Sequence, residues 1–532
     1  MSSPTGELLF YAGGSEIYNK NNVLMQNGTG LIGGNSSSTQ SGVIVPKPGS
    51  QNIYYLINVD NATTLSPGLT YSEIDMSLDG GLGAVTSNKN IVLNADTKVE
   101  KITAVHHADG NRVWVVTHTI ETDEYVAYLV SENGISATPV TSAIGSFYTG
   151  LLNQDPGTIS YGPEGVGQLK FSPDGSKLAA NIIDGPNKGV DLFDFNNEAG
   201  EITNFVHLGG FFYNPYGVEF SPNSKYLYVA DSMGFVMTGN IRQFNTEAAA
   251  IEDSEIIIFE NIPIQFFGSS AMQVALDGRI YIKDVVENNL NVILYPNNEG
   301  TACGFQPLYV TLAGGGGIGL TSFIQSYFES GILAEEGCPG EDVTFTLLRI
   351  PDVTAVTWNF GDPDSGADNI STTGLHTFSA GGTYTITAQI TTNGVVQVAT
   401  TKITVSGADG GAVTPQNLVQ CTGDTNFNLT PQTAVILNDL NPANYTVSYF
   451  TLLTEAESNT NAITDTANFD SEGQTIFARI TNMVTNCYSI VQFELEFFPL
   501  PQINDVADLK SCDIEAKDGV GLFDCRHKAL LY

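Results

Sequence analysis

Short apolar runs, each closed by glycine, proline, asparagine or aspartate, recur along the whole chain. Many alternate with period two. Val356, Trp358 and Phe360 share one face of a predicted strand that stops at Gly361-Asp362-Pro363-Asp364-Ser365-Gly366. Tyr384, Ile386, Ala388 and Ile390 form another strand, and Val396 and Val398 return from it. The Asn393-Gly394 pair between them favours a type I′ hairpin turn. Long Ala/Glu/Lys/Leu-rich stretches with helical spacing are absent. The pattern predicts an all-β protein with many tight turns.

One turn repeats over the first 330 residues: a polar tight turn followed by a β-rich run. It reads Ala108-Asp109-Gly110-Asn111-Arg112-Val113-Trp114, then Ser172-Pro173-Asp174-Gly175-Ser176-Lys177-Leu178. It returns as Ser221-Pro222-Asn223-Ser224-Lys225-Tyr226-Leu227 and as Leu276-Asp277-Gly278-Arg279-Ile280. A looser copy is Lys47-Pro48-Gly49-Ser50-Gln51-Asn52-Ile53. Asp109-Gly110, Asp174-Gly175 and Asp277-Gly278 supply hairpin turns, and the run after each is a well-buried strand. Copies are about 50 to 65 residues apart, the scale of a four-stranded propeller blade with variable loops.

The Ser-Pro-Asp-Gly copies resemble blades of YVTN- and WD40-like β-propellers. At roughly 45 residues per blade, residues 1–330 would hold about seven. The segment is also similar to the propeller region of surface proteins of gliding bacteria. Leu8-Leu9-Phe10-Tyr11, Met25-Gln26-Asn27-Gly28, Ile44-Val45-Pro46-Lys47-Pro48-Gly49 and Gly319-Leu320-Thr321-Ser322-Phe323 carry that likeness.

Residues 335–406 resemble a polycystic-kidney-disease (PKD) domain, an immunoglobulin-like sandwich. Trp358-Asn359-Phe360-Gly361-Asp362, His376-Thr377-Phe378 and Gly381-Gly382-Thr383-Tyr384 carry the resemblance. Trp358 and Phe360 are then core residues, with Gly361 and Asp362 ending their strand. Residues 407–412 read as a flexible linker. Residues 413–499 read as a second Ig-like sandwich. Its opening, Pro415 to Cys421, recurs at Pro501 to Cys512, so 500–532 would start a further repeat that is too short to bury a core. The abruptly basic Cys525-Arg526-His527-Lys528 points to an altered or truncated end. Relatives of this layout finish in a sorting domain for the type 9 secretion system, which has no counterpart here.

Composition narrows the function. Three or four domains are expected of 532 residues. Fifty-seven acidic residues against 20 basic ones give a formal charge of −37, with no basic stripe, which argues against a nucleic-acid partner. The amino terminus has no signal peptide, and the longest uncharged stretch, Pro307 to Phe328, is too glycine-rich and polar for a membrane span. Six cysteines, at 303, 338, 421, 487, 512 and 525, include no Cys-x-x-Cys pair. Cys421 and Cys487 would pair in an exported protein, or otherwise stand as two buried thiols.

Candidate chemistry is sparse. His106 and His107 are adjacent and so point to opposite faces of a strand, and neither they nor His118 have a nearby Glu or Cys to complete a metal site. The glycine-rich run from Gly314 to Gly319 lacks the Lys-Ser/Thr and helix start of a phosphate loop. Asp362, Asp364 and Asp368 make a candidate calcium turn, against a solvated turn with side-chain-to-backbone hydrogen bonds. Trp358 could serve as a sugar platform, but its place among alternating apolar residues favours the core. No Gly-x-Ser-x-Gly elbow occurs, and no catalytic residue is assigned. The expectation is a non-enzymatic secreted or cell-surface protein. Its propeller head would bind polysaccharide or surface protein, without a cofactor unless calcium. The alternatives are a propeller polysaccharide lyase or glycosidase, and a structural spacer.

Overall fold

The computed structural model describes residues 1–498 except 4–5, 35–37, 60–66, 150–151, 154–158, 161–162, 184, 211, 213, 233–237, 264–270, 284–287, 314–318, 335–336, 406–412, 439 and 484. The linker at 407–412 and the repeat fragment at 500–532 therefore lie outside the described residues. The chain forms two compact units. One holds Met1–Glu335, Asp342–Thr377 and Thr383–Ile403; the other holds Glu336–Glu341, Phe378–Gly382 and Thr404–Tyr532.

The first unit opens with a hairpin, β1 (Phe10–Gly13) and β2 (Glu16–Asn19). Five antiparallel sheets follow in chain order as propeller blades. Blade 1 is β3 (Gly42–Pro46), β4 (Ile53–Asn58) and β5 (Leu69–Asp75), with β6 (Ala84–Val85) and β7 (Ile91–Asn94) on β5. Blade 2 is β8 (Thr103–His106), β9 (Val113–His118) and β10 (Glu124–Ser131), with β11 (Gly134–Ile135) and β12 (Val140–Ala143) on β10. A short pair, β13 (Leu152–Asn153) and β14 (Ile159–Ser160), comes next. Blade 3 is β15 (Leu169–Phe171), β16 (Lys177–Ile182), β17 (Gly189–Asn196) and β18 (Glu201–Gly209). Blade 4 is β19 (Pro215–Phe220), β20 (Tyr226–Ser232), β21 (Thr238–Asn245) and β22 (Ile256–Pro263). Blade 5 is β23 (Met272–Val274), β24 (Ile280–Lys283), β25 (Asn289–Ile293) and β26 (Phe305–Thr311).

The repeated turn explains this order. Each copy joins the first strand of a blade to the second. Ser50, Gly110, Gly175, Ser224 and Gly278 donate their N–H groups to the carbonyls of Lys47, His107, Ser172, Ser221 and Ala275. Gly110, Gly175 and Gly278 stand at φ 73°, 72° and 77°, a left-handed conformation that glycine adopts without strain. The strand after the turn is buried as the sequence implies: all six residues of β9 are inside. Apolar clusters join neighbouring blades, as with Val105, Trp114 and Tyr125 of blade 2 against Leu169, Phe171 and Phe193 of blade 3. Among the described residues the blades number five, against an expected seven or so. Long inter-strand loops stretch each repeat beyond 45 residues, so the spacing of the turn copies is the better measure of blade number.

Residues 331–405 form two antiparallel sheets. One orders β27 (Gly331–Ala334), β28 (Asp342–Leu348) and β31 (Leu375–Thr377). The other orders β30 (Ile370–Ser371), β29 (Val353–Asn359), β32 (Gly382–Thr392) and β33 (Val395–Val405). Trp358 and Phe360 are buried, and Phe360 packs 5.3 Å from Phe345 and 4.4 Å from the His376 ring. Gly361, at φ 65°, passes so close to Thr385 that a Cβ would sit 2.4 Å from its carbonyl oxygen.

The carboxy-terminal module differs from the second sandwich that its strand pattern implies. One mixed sheet orders β34 (Leu418–Cys421), β39 (Tyr488–Phe498), β38 (Thr475–Asn482) and β36 (Tyr445–Phe450), with β34 parallel to β39. A two-stranded pair, β35 (Asn426–Phe427) and β37 (Phe469–Asp470), and two helices, α1 (Thr430–Leu437) and α2 (Leu453–Ser458), complete it. Ile436 and Leu437 of α1 join Tyr449, Ile476, Ile480 and Phe493 in one core.

The expected Cys421–Cys487 pairing is not formed. Cys487 bonds Cys338, with Cα atoms 5.3 Å apart, and Cys421 is an exposed free thiol. Strand register explains why. Cys421 lies beside Phe498 at one end of β39, whereas Cys487 precedes the other end. At the rise of a β-strand that is roughly 35 Å, far beyond a disulfide's reach.

Candidate functional site at the propeller axis

The first strand of each blade turns one edge toward the propeller axis, where its backbone groups need partners. Side chains of other blades supply them. Gln40 Nε2 donates to the Leu169 carbonyl (3.1 Å), and its Oε1 accepts from the N–H groups of Leu169 (2.8 Å) and Ile102 (3.4 Å). Gln168 Oε1 accepts from Val218 (3.2 Å) and Met272 (2.9 Å), and Nε2 returns a bond to the Met272 carbonyl. Thr103 Oγ1 accepts from Phe171 N–H at 3.2 Å.

Charged groups fill the same space. Lys170 Nζ donates to Glu219 Oε2 (2.9 Å) and Gln273 Oε1 (2.5 Å), and all three side chains are buried. Glu219 also accepts the N–H groups of Phe220 and Val274, so both its oxygens are engaged. Burial pushes Lys170 down and Glu219 up from their ordinary pKa values, and each one's charge opposes the other's shift. The Thr39 hydroxyl bonds Glu100 Oε2 (3.1 Å) and the Tyr216 hydroxyl.

Lys101 lies between blades 2 and 3. Its ammonium donates to Tyr148 Oη (3.0 Å) and to the carbonyls of Glu164 and Asn181, three acceptors for three protons. Burial lowers its pKa to about 7, against the raising effect of Asp191, Glu164 and Glu100. His118 stacks on Tyr148 with ring centroids 3.6 Å apart and bonds the Thr119 carbonyl through Nδ1 (2.6 Å). Burial lowers its pKa to about 3. Buried groups with such displaced pKa values often mark active sites. Here Lys101 and Lys170 tie one blade to another, and His118 packs within its own blade against Tyr125 and Tyr148.

The other candidates separate. His106 Nδ1 meets Ser326 Oγ (2.7 Å), while His107 Nε2 meets the Glu198 carbonyl (3.0 Å) on a different element. In the glycine-rich run, residues 314–318 lie outside the described residues; Gly319 packs where a Cβ would come 2.3 Å from the Thr39 carbonyl oxygen. Asp109, Asp174 and Asp277 serve their turns, accepting N–H bonds from Asn111, Ser176 and Arg279. The carboxylates proposed for calcium do not converge. Asp362 is buried with Oδ2 3.0 Å from His376 Nε2, whereas Asp364 and Asp368 face solvent. Among the described residues no group of His, Cys, Asp and Glu is placed to hold a metal ion.

The axis residues escape a motif search, yet they leave a trace. Lys170, Glu219 and Gln273 occupy the same position ahead of three consecutive turns, each as a lone polar residue in an apolar run: Leu-Lys-Phe, Val-Glu-Phe and Met-Gln-Val. A polar residue repeated at one register of adjacent blades marks an axis-facing position.

Residues 417–501 match the family described as the Flavobacterium inter-domain disulphide bond domain. No curated protein matches the chain. Among solved structures, the periplasmic gluconolactonase PpgL of Pseudomonas aeruginosa is 11% identical, over 75% of this chain and 95% of its own, with a TM-score of 0.35. Hydrazine synthase of Kuenenia stuttgartiensis is 12% identical, over 55% and 74%, at 0.34. A TolB-like protein of Agrobacterium tumefaciens is 14% identical, over 53% and 87%, at 0.29.

Proposed function

We propose that the chain is a non-enzymatic binding or adhesion protein of the cell surface or extracellular space. Its propeller recognises a polysaccharide or surface protein, and the PKD-like and following modules connect it to the surface through export of the type 9 kind. One observation carries this reading: the ionisable and amide groups at the axis bond one another and the inner strands, so acid/base chemistry is built into the scaffold. Oxidised Cys338 and Cys487 fit an export compartment, and the Flavobacterium domain match fits the same location. Among the described residues no helix is long and apolar enough to cross a membrane.

The test is retention of the purified chain on immobilised polysaccharides and on whole bacterial surfaces, with reducing ends and unsaturated products assayed in parallel. Retention without product release is expected. Steady release of either product would move the assignment to a lyase or glycosidase.

A further inference from the structure

Outside the axis, a buried carboxylate and a partly exposed imidazole form a further cluster. Asp191 on β17 and His207 on β18 are directly paired across the two strands. Asp191 is fully buried, and its Oδ1 lies 2.7 Å from His207 Nδ1 while its Oδ2 accepts Ser146 N–H at 3.0 Å. A carboxylate only accepts, so Nδ1 carries a proton, and in the neutral ring Nε2 is an acceptor. Among the described residues no group bonds Nε2, and the imidazole side chain is 30% exposed.

The backbone is shaped to hold this ring. Gly189 and Gly209 pair beneath it, and a Cβ on Gly209 would come 2.6 Å from Nε2. A bulge between Leu192 and Asp194, with Asn204 at φ 53°, shifts the register just before Phe205, and strand alternation puts Phe205 on the same face as His207. Phe205 stacks on buried Phe193 (5.4 Å, 22°) and remains 40% exposed, its ring 6.4 Å from the imidazole. An oriented hydrogen-bond acceptor therefore stands beside an aromatic ring that is supported from below and open to solvent.

We propose that Asp191, His207 and Phe205 form a subsite for a neutral hexose unit. One sugar hydroxyl donates to His207 Nε2, and the C–H face of the sugar ring lies on Phe205. The formal charge of −37 disfavours the approach of acidic glycans. This inference rests on the reading of the chain as a binding protein and names its ligand class.

Calorimetric titration of the full chain with cellohexaose, mannohexaose and maltohexaose tests it, with an alginate hexamer as charged control. At least one neutral sugar should bind. Phe205→Ala, His207→Ala and Gly209→Ala should each weaken it about tenfold or more, while Phe205→Tyr retains it. Gly209→Ala matters most, because it leaves both contact side chains chemically intact and displaces only the imidazole. Circular dichroism melts confirm that each variant is folded. Neutral-sugar binding unchanged in all three variants overturns the subsite and leaves the binding reading intact. Binding of alginate alone, or of no hexasaccharide, overturns the ligand class, and surface retention then decides the broader reading separately. Cleavage that stops in His207→Ala overturns both.

Discussion

Gly110 and Gly278 occupy equivalent turns with nearly equal φ, but their surroundings differ. A Cβ at Gly110 meets open space, whereas at Gly278 it would stand 2.2 Å from the Arg349 carbonyl oxygen. Gly110→Ala should cost about 1 kcal/mol, the strain of a left-handed alanine. Gly278→Ala adds a backbone clash and should cost several times more; equal losses in chemical denaturation would refute the contrast. His118 gives a second residue-level prediction. Its pKa falls from 6.5 unfolded to about 3 folded, so the unfolded chain binds more protons between those values. Stability should therefore drop as pH falls through that window, each tenfold loss of proton affinity on folding being worth about 1.4 kcal/mol. His118→Phe should flatten the acid limb of the unfolding profile, and a profile identical to the parent's would count against this account. The turn glycines were legible in the sequence, because a tight turn needs a local residue type. Burial of His118 was not, since its partners Tyr125 and Tyr148 are set by tertiary packing.

At the scale of elements, the axis depends on one buried ion pair. Lys170→Met leaves Glu219 charged without its partner and should destabilise the propeller by about 3–5 kcal/mol. The double variant Lys170→Met, Glu219→Leu should lose less than the sum of the two single changes. Additive losses in a denaturation cycle would argue that the pair is not coupled. Five turn copies were readable, and each sits in one of the five blades among the described residues. The expected seven or so came from an average blade length, which long loops exceed. Helix α1 was missed because eight residues, opening with Thr430-Pro431, are too few to show a helical period against strand-like neighbours. The candidate subsite was missed for another reason: Phe205 and His207 alternate as any strand residues do, and only the cross-strand pairing with Asp191 singles them out.

At the scale of the whole molecule, composition correctly indicated an all-β chain, and the family match bears on its carboxy-terminal module. The disulfide was the main error, because pairing by proximity within one module ignored Cys338 in the segment before it. The Cys338–Cys487 loop spans 149 residues, and the chain-entropy argument gives about 5 kcal/mol for closing it. Reduction, or Cys487→Ser, should lower the melting temperature of the carboxy-terminal unit while leaving the propeller transition in place. Calorimetry showing both transitions moving together would contradict that independence.

The same bond has a mechanical meaning. A pull on the two ends of the chain passes from residue 338 to residue 487 through sulfur instead of through the 149-residue interval, which holds roughly 500 Å of extended slack. Strands β28 to β33 lie inside that interval, off the load path. Strands β28 to β33 are shielded from tension, and the tether stays short, until the disulfide is reduced.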